Sequence, residues 1–233
     1  MNRTYLETPR SSGKATRQGI TAIAFTGGAG VGKDSAATVL RNHCQFETIA
    51  FADALRREIA SAWRIDERML THRSTKELSI PALAVGMCSE PAFVSWCCNA
   101  AESLHKPRSP RWVMQRWADF QRRFRPTYYA EIACRWISRQ ASLGFRRFAI
   151  TDLREPVELA ALQVLGAQLH VVRIHSPNAT RLGVDTAHHS SERQQIGVDL
   201  ELQNDGSLEA LRDNVLALPP VQGLMAAARG NAA

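Results

Sequence analysis

The sequence predicts an α/β chain: a parallel sheet covered by helices on both faces. Three observations carry that expectation. Short apolar, β-branched runs of strand length alternate with segments of helical spacing. Those runs are apolar on both faces instead of alternating with polar residues, as strands buried on both sides are. The 233 residues suit one large domain, or one domain with an insert, better than two.

The elements follow in order. Residues 20–26 (ITAIAFT) form a continuous apolar run, as a central strand requires, and lead into glycines. A helix is expected over 34–43, a short strand over 47–51, and a helix over 53–63 with Asp53 as its N-cap. Residues 66–105 read as helical with breaks at Pro81, Gly86 and Pro91. Two helices, 110–124 and 127–143, are divided by Pro126. A strand over 147–151 ends in Asp152, and a helix over 156–165 is closed by Gly166. Residues 168–174 (QLHVVRI) make another buried strand, and 198–202 a last one. After a turn at 204–206, a helix over 207–218 has Ser207 as N-cap and Glu209 near its positive end. Pro219 and Pro220 are expected to stop it. The expected organisation is therefore a disordered leader over 1–19 and one domain over 20–222. That domain carries a helical insert at about 66–145 and a polar lid loop at about 175–198, and a flexible tail follows over 223–233.

Composition narrows the class. Apolar residues are 45% and charged residues 22%, as in an ordinary folded protein. No window approaches the ~18 uninterrupted apolar residues of a membrane span. The N-terminus has basic charge but no apolar stretch behind it, so it does not read as a secretory signal. The five cysteines are odd in number and lack metal-binding spacing, which points to free thiols in a reducing cytoplasm.

Net charge is +7, but residues 106–147 alone carry 11 basic residues against Asp119 and Glu131, a local +9, which leaves −2 for the rest. The same stretch holds Trp112, Trp117, Phe120, Phe124, Tyr128, Tyr129 and Trp136. Basic residues interleaved with aromatics suit a nucleic-acid surface. They equally suit a helical subdomain whose rings are its core and whose arginines are its solvated face, and pattern alone favours that second reading.

The most specific signal is Gly27-Gly28-Ala29-Gly30-Val31-Gly32-Lys33, a G-x-x-x-x-G-K run between an apolar strand and a helix. Glycines let backbone N–H groups wrap a polyphosphate at a helix N-terminus, and Lys33 would bridge the outer phosphates. Where a hydroxyl residue normally follows that lysine stands Asp34, with Ser35 next. Asp152, at a strand end, is in the position of an acidic residue that holds Mg²⁺ or its water, although a capping aspartate would sit there too. Arg154 would point into the same cleft.

These residues, taken with four later segments, resemble the phage-type deoxynucleoside monophosphate kinases. Gly32-Lys33-Asp34 shares that family's unusual Asp after the lysine. Phe51-Ala52-Asp53-Ala54-Leu55-Arg56 looks like its acceptor-side F-A-x-x-L-[KR]. The stretch from Arg111 through Gln115, Arg116 and Trp117 to Arg122 and Arg123 is similar to its R-x-x-L-Q-x-x-G-x-x-x-R. Asp152, Arg154, Pro156 and Glu158 fit D-x-R-x-P-x-E. His189-Ser190-Ser191-Glu192 and Asn204-Asp205-Gly206-Ser207-Leu208-Glu209 fit H-x-S-E and N-D-G-[ST]-L-E. Ala118 departs from the family glycine, and Asp119-Phe120 from T-E, on the acceptor side.

The resemblance implies a three-layer P-loop kinase fold with a basic helical insert, and a kinase using ATP and Mg²⁺. ATP would lie on residues Gly27 to Ser35, the metal on Asp34, Ser35 and Asp152, and the acceptor on Phe51, Arg56, Arg111, Gln115, Arg116, Trp117 and Arg122. Lys33, Asp152, Arg154 and the lid arginine Arg193, with Arg181 as second choice, would serve transfer itself. The family contains two acceptor types: free deoxynucleoside monophosphates, and 5-hydroxymethyluracil already within phage DNA. The +9 stretch with its rings favours DNA, with Trp112 or Trp117 flanking a displaced base. An Arg-rich composition from a GC-rich genome would produce the same count. A switch or motor ATPase is the rival class, distinguished by turnover without an added acceptor. The expected location is the cytoplasm, that of the host if the chain is phage-encoded, with no membrane partner.

Overall fold

The computed structural model describes residues 19–72, 74–177 and 196–230. Five strands, β1 (Thr21–Thr26), β2 (Glu47–Ile49), β3 (Arg147–Ile150), β4 (Gln168–His175) and β5 (Leu200–Gln203), form one sheet in the order β2-β3-β1-β4-β5. Every pairing is parallel. β1 is central and buried along its whole length, which explains its unbroken apolar run.

Side chains alternate across β1. Ala22 and Ala24 face one core with the larger helical layer, while Ile23 and Phe25 face a second core. The second layer comprises α1 (Lys33–Cys44), α8 (Leu208–Leu216) and α9 (Pro219–Gly230). The first comprises α2 (Ala52–Trp63), α3 (Arg68–Thr71), α4 (Pro91–Asn99), α5 (Pro110–Arg122), α6 (Tyr128–Ser142) and α7 (Pro156–Val164). This is a three-layer α/β arrangement, with the glycine loop between β1 and α1.

Several elements differ from expectation for identifiable reasons. Asp53 is not the cap of α2 but lies inside its first turn, accepting from the Ala50 N–H (2.8 Å) and from Arg56 (2.8 Å). The cap comes from Asp152, about a hundred residues away, as described below. Pro81 and Pro91 open helical turns instead of breaking them; α8 stops before Pro219 and Pro220 as expected, but these prolines open a further helix, α9. Proline fits the first helical turn, where its missing N–H has no intrahelical partner. Residues 223–230, expected as tail, therefore continue a helix that buries Val221. Ser207 caps α8 as expected, accepting from the Ala210 N–H at 3.2 Å, and Ser109 caps α5 in the same way through Trp112 at 3.2 Å.

The aromatics of the basic stretch are mostly core. Trp117 meets Trp63, Phe93 and Phe120 with ring centroids 5.0–5.9 Å apart. Its indole N–H donates to Glu58 (2.9 Å), a carboxylate that also accepts from the Tyr128 and Tyr129 hydroxyls at 2.8 and 3.0 Å. Phe124 and Phe145 are the exceptions, exposed at 83% and 42%. Among the described residues no helix is long and apolar enough to cross a membrane.

Candidate active site

At the carboxyl end of β1 the chain turns through Gly27 (φ 129°) and Gly32 (φ 102°), both in the left-handed region that side chains avoid. A Cβ on Gly27 would lie 2.5 Å from the Ile174 carbonyl oxygen, and one on Gly32 2.5 Å from the Asn204 Nδ2. The glycines are thus required by both backbone and space. Lys33, the first residue of α1, is 9% exposed and curls back, its Nζ donating to the carbonyls of Gly27 (2.8 Å) and Gly28 (2.6 Å). Gly32 caps α1 without a side chain, so the first-turn N–H groups of Lys33, Asp34 and Ser35 remain the helix's own positive end.

Beside the loop, a cleft of about 200 Å³ lies at the carboxyl ends of β2 and β3, where open α/β sheets bind ligands. Asp34, Thr38, Asp53, Arg56 and Thr151 line it. Its donors to a cation are all oxygens, which suits Mg²⁺ held by one or two carboxylates and completed by water and phosphate. Among the described residues no group of three or more His, Cys, Asp or Glu could hold a metal ion, so phosphate oxygens and water would supply the remainder.

Asp152 directly follows Thr151 of the cleft wall. Its two carboxylate oxygens accept from the N–H groups of Phe51 (2.7 Å) and Ala52 (3.0 Å), which places it as the cap of α2. Burial raises its pKa, opposed by those two bonds and by Arg154 and Arg56. Phe51 is accordingly buried at the helix entry, as a structural neighbour of Asp152.

Glu158, on the first turn of α7, is also buried. Its Oε2 accepts from the N–H groups of Arg154 (2.9 Å) and Glu155 (3.0 Å), and its Oε1 faces Arg122 at 3.4 Å. Burial pushes its pKa up to about 7, with the Asp152 charge adding to the rise and the two N–H groups and Arg122 opposing it. A raised folded-state pKa means that the native protein keeps a proton the unfolded chain releases above its ordinary value of 4.5. The stabilisation is full below that value and is lost as pH rises through about 7. Wild type should therefore lose stability relative to Glu158→Gln between about pH 5 and about pH 8, read by urea unfolding at each pH. A constant difference would return Glu158 to an ordinary titration.

The arginines expected to meet the acceptor separate into two groups. Lys76, in the loop before α4, has its pKa lowered by burial and then by the nearby charges of Arg111, Arg154 and Arg56, with Glu77 opposing. The charges of three arginines from three different segments thus act on one ammonium. The Arg111 N–H donates to the Lys76 carbonyl (3.1 Å) and its guanidinium pairs with Glu77, while Arg56 pairs with Asp53. Arg116, in contrast, shares Glu102 with buried Arg108 (3.1 and 2.6 Å) and stacks on Trp96 at 4.8 Å. Arg122 turns to Glu158, Arg125 to Glu131, and Arg123 lies 3.9 Å over Phe120. Gln115 is half-buried on α5, and Trp117 is enclosed by the aromatic cluster. Arg181, Arg193 and His189 to Glu192 lie outside the described residues.

Lys76 and Asn204 are residues that sequence reasoning did not single out by role. Lys76 sits in a stretch without periodic signal, and what singles it out is burial beside the charges of Arg111, Arg154 and Arg56. Asn204 was visible as part of the N-D-G-S segment, without a stated function.

No family model matches the chain, and no curated relative does. Among solved structures, a dephospho-CoA kinase from Campylobacter jejuni aligns over 90% of this chain and 98% of its own, at 14% identity and a TM-score of 0.45. A sugar kinase from Janibacter sp. HTCC2649 aligns over 87% of this chain and 95% of its own, at 11% identity and a TM-score of 0.42. Likeness at this level carries no statement about activity.

Proposed function

We propose that the chain is a kinase moving the γ-phosphoryl group of ATP to a small phosphate-bearing acceptor, a free deoxynucleoside monophosphate. The observation that carries this reading is the pairing of two cationic features near the carboxyl ends of the strands. One is the glycine loop with Lys33, and the other is Arg56 in the wall of the Asp34 cleft together with Lys76, on whose ammonium the charges of Arg111, Arg154 and Arg56 all act. A polyphosphate donor suits the first. A single phosphate clamped from several directions suits the second, because guanidinium groups bind phosphate with two parallel hydrogen bonds.

Transfer of this kind asks the protein for position and charge more than for covalent chemistry. Lys33 and the N-terminus of α1 would neutralise the outer phosphates, and Arg154 would lie between donor and acceptor. Asp34 and Ser35 would hold Mg²⁺, which draws charge from the phosphoryl oxygens when bound. Asp152 would orient the wall of the site through its hold on α2, and could reach the metal only through lone pairs not used by that cap.

The second reading, phosphorylation of 5-hydroxymethyluracil within DNA, rested on a broad basic and aromatic surface. It receives less support, since Trp117, expected beside a displaced base, is enclosed in the aromatic core. Arg111→Ala and Arg154→Ala should each raise the acceptor KM about tenfold or more, with little change in the KM for ATP. If Arg116→Ala and Arg123→Ala weaken acceptor use more than those two do, the DNA surface takes the place of the clamp.

A further inference from the structure

The loop between β5 and α8 reaches the glycine loop. Asn204, directly after β5, is fixed at its backbone by donation to the His175 carbonyl at the end of β4 (2.7 Å). Its side-chain Nδ2 donates to the Val31 carbonyl at 2.8 Å, across 173 positions of sequence. The same Nδ2 occupies the space where a Gly32 Cβ would be, and Leu211 of α8 packs on that side as well. Three residues on, Ser207 caps α8, so the segment carrying Asn204 is held at both ends.

A trans peptide is planar, with its C=O and the following N–H pointing in opposite directions. Holding the Val31 carbonyl on the Asn204 side therefore turns the Gly32 N–H to the other side. Gly32 is left-handed at φ 102°, a conformation glycine can leave readily because no Cβ restrains it. Something outside the loop must fix that peptide, and the Asn204 amide is in contact with it.

We propose that Asn204 is a positioning residue of the nucleotide site: it locks the peptide joining Val31 to Gly32 so that the Gly32 N–H faces the bound phosphates. This rests on the nucleotide-binding reading above. Donors oriented before the ligand arrives need no reorganisation on binding, which is where such a lock acts. It also assigns a task to the N-D-G-S segment, which the phosphate cradle alone leaves without one.

The test is calorimetric titration of ATP·Mg²⁺ into wild type, Lys33→Ala, Asn204→Ala and Asn204→Asp, with unfolding midpoints and acceptor KM values for each. Asn204→Ala should weaken ATP about tenfold. Asn204→Asp should weaken it further, because a carboxylate cannot donate to the Val31 carbonyl and adds negative charge beside the cradle. The acceptor KM should not move in either. Asn204→Ser, with a shorter donor, serves where the other two do not fold, and should weaken ATP in the same direction. Wild-type ATP affinity in the Asn204 variants, alongside loss in Lys33→Ala, overturns the proposal while leaving the nucleotide site intact. A parallel fall in ATP affinity, acceptor affinity and unfolding midpoint overturns it in favour of a general structural role. No ATP binding by wild type overturns both readings together.

Discussion

Replacing Lys33 by Ala is expected to lower turnover by about 10²–10³-fold, the scale for removing one preorganised group from a transition state, while the fold persists. The ammonium is nearly enclosed and held over the Gly27 and Gly28 carbonyls, so a phosphate entering the loop meets a charge already in place. Its removal takes away a buried cation and leaves two carbonyls on a loop that water can reach. The checks are kcat with ATP and the unfolding midpoint. Near-normal turnover would remove the glycine loop from the mechanism.

The second large effect concerns the fold and separates the two views of the aromatic stretch. Trp117→Ala should cost about 3–5 kcal/mol of stability, as expected of a large ring deleted from a core. The ring is 4% exposed, edge-on to Trp63 and in contact with Phe93 and Phe120. Its loss also strips one donor from Glu58. Phe124→Ala, at a ring 83% exposed, should change stability by only about 0.5 kcal/mol or less. Urea unfolding of both variants decides. A stable Trp117→Ala protein with impaired acceptor use would make that ring a substrate surface after all.

The parts legible in the sequence are those whose cause is local. The unbroken apolar run of β1, the glycines that follow and Lys33 all announce themselves, because strand burial and the left-handed turns at Gly27 and Gly32 act on neighbouring residues. Strand β3, with Asp152 two residues past its end, is legible for the same reason. What escaped depends on partners distant along the chain. Asp53 looked like a cap because it precedes a helical pattern, but the N–H groups at the start of α2 are taken by Asp152. The local charge of +9 over 106–147 overstates the free positive charge, because a local count cannot see Glu77, Glu102 and Glu158, which come from outside the stretch to pair with Arg111, Arg108, Arg116 and Arg122. Lys76 and Asn204 acquire their places only through tertiary contact, with Arg111 and Val31 respectively.

The central claim is phosphoryl transfer to a small anionic acceptor, and the direct measurement is transfer from γ-labelled ATP. The protein is incubated separately with each free deoxynucleoside monophosphate, with DNA containing 5-hydroxymethyluracil, and with no acceptor, at low and at high salt. Label should pass to a free monophosphate, with a weak salt dependence because one phosphate is clamped, whereas a DNA acceptor would show a log–log slope of about −0.9 for each backbone phosphate neutralised. Label on DNA alone, falling steeply with salt, would contradict the small-acceptor account. Release of inorganic phosphate at an equal rate with no acceptor present would contradict the kinase reading itself.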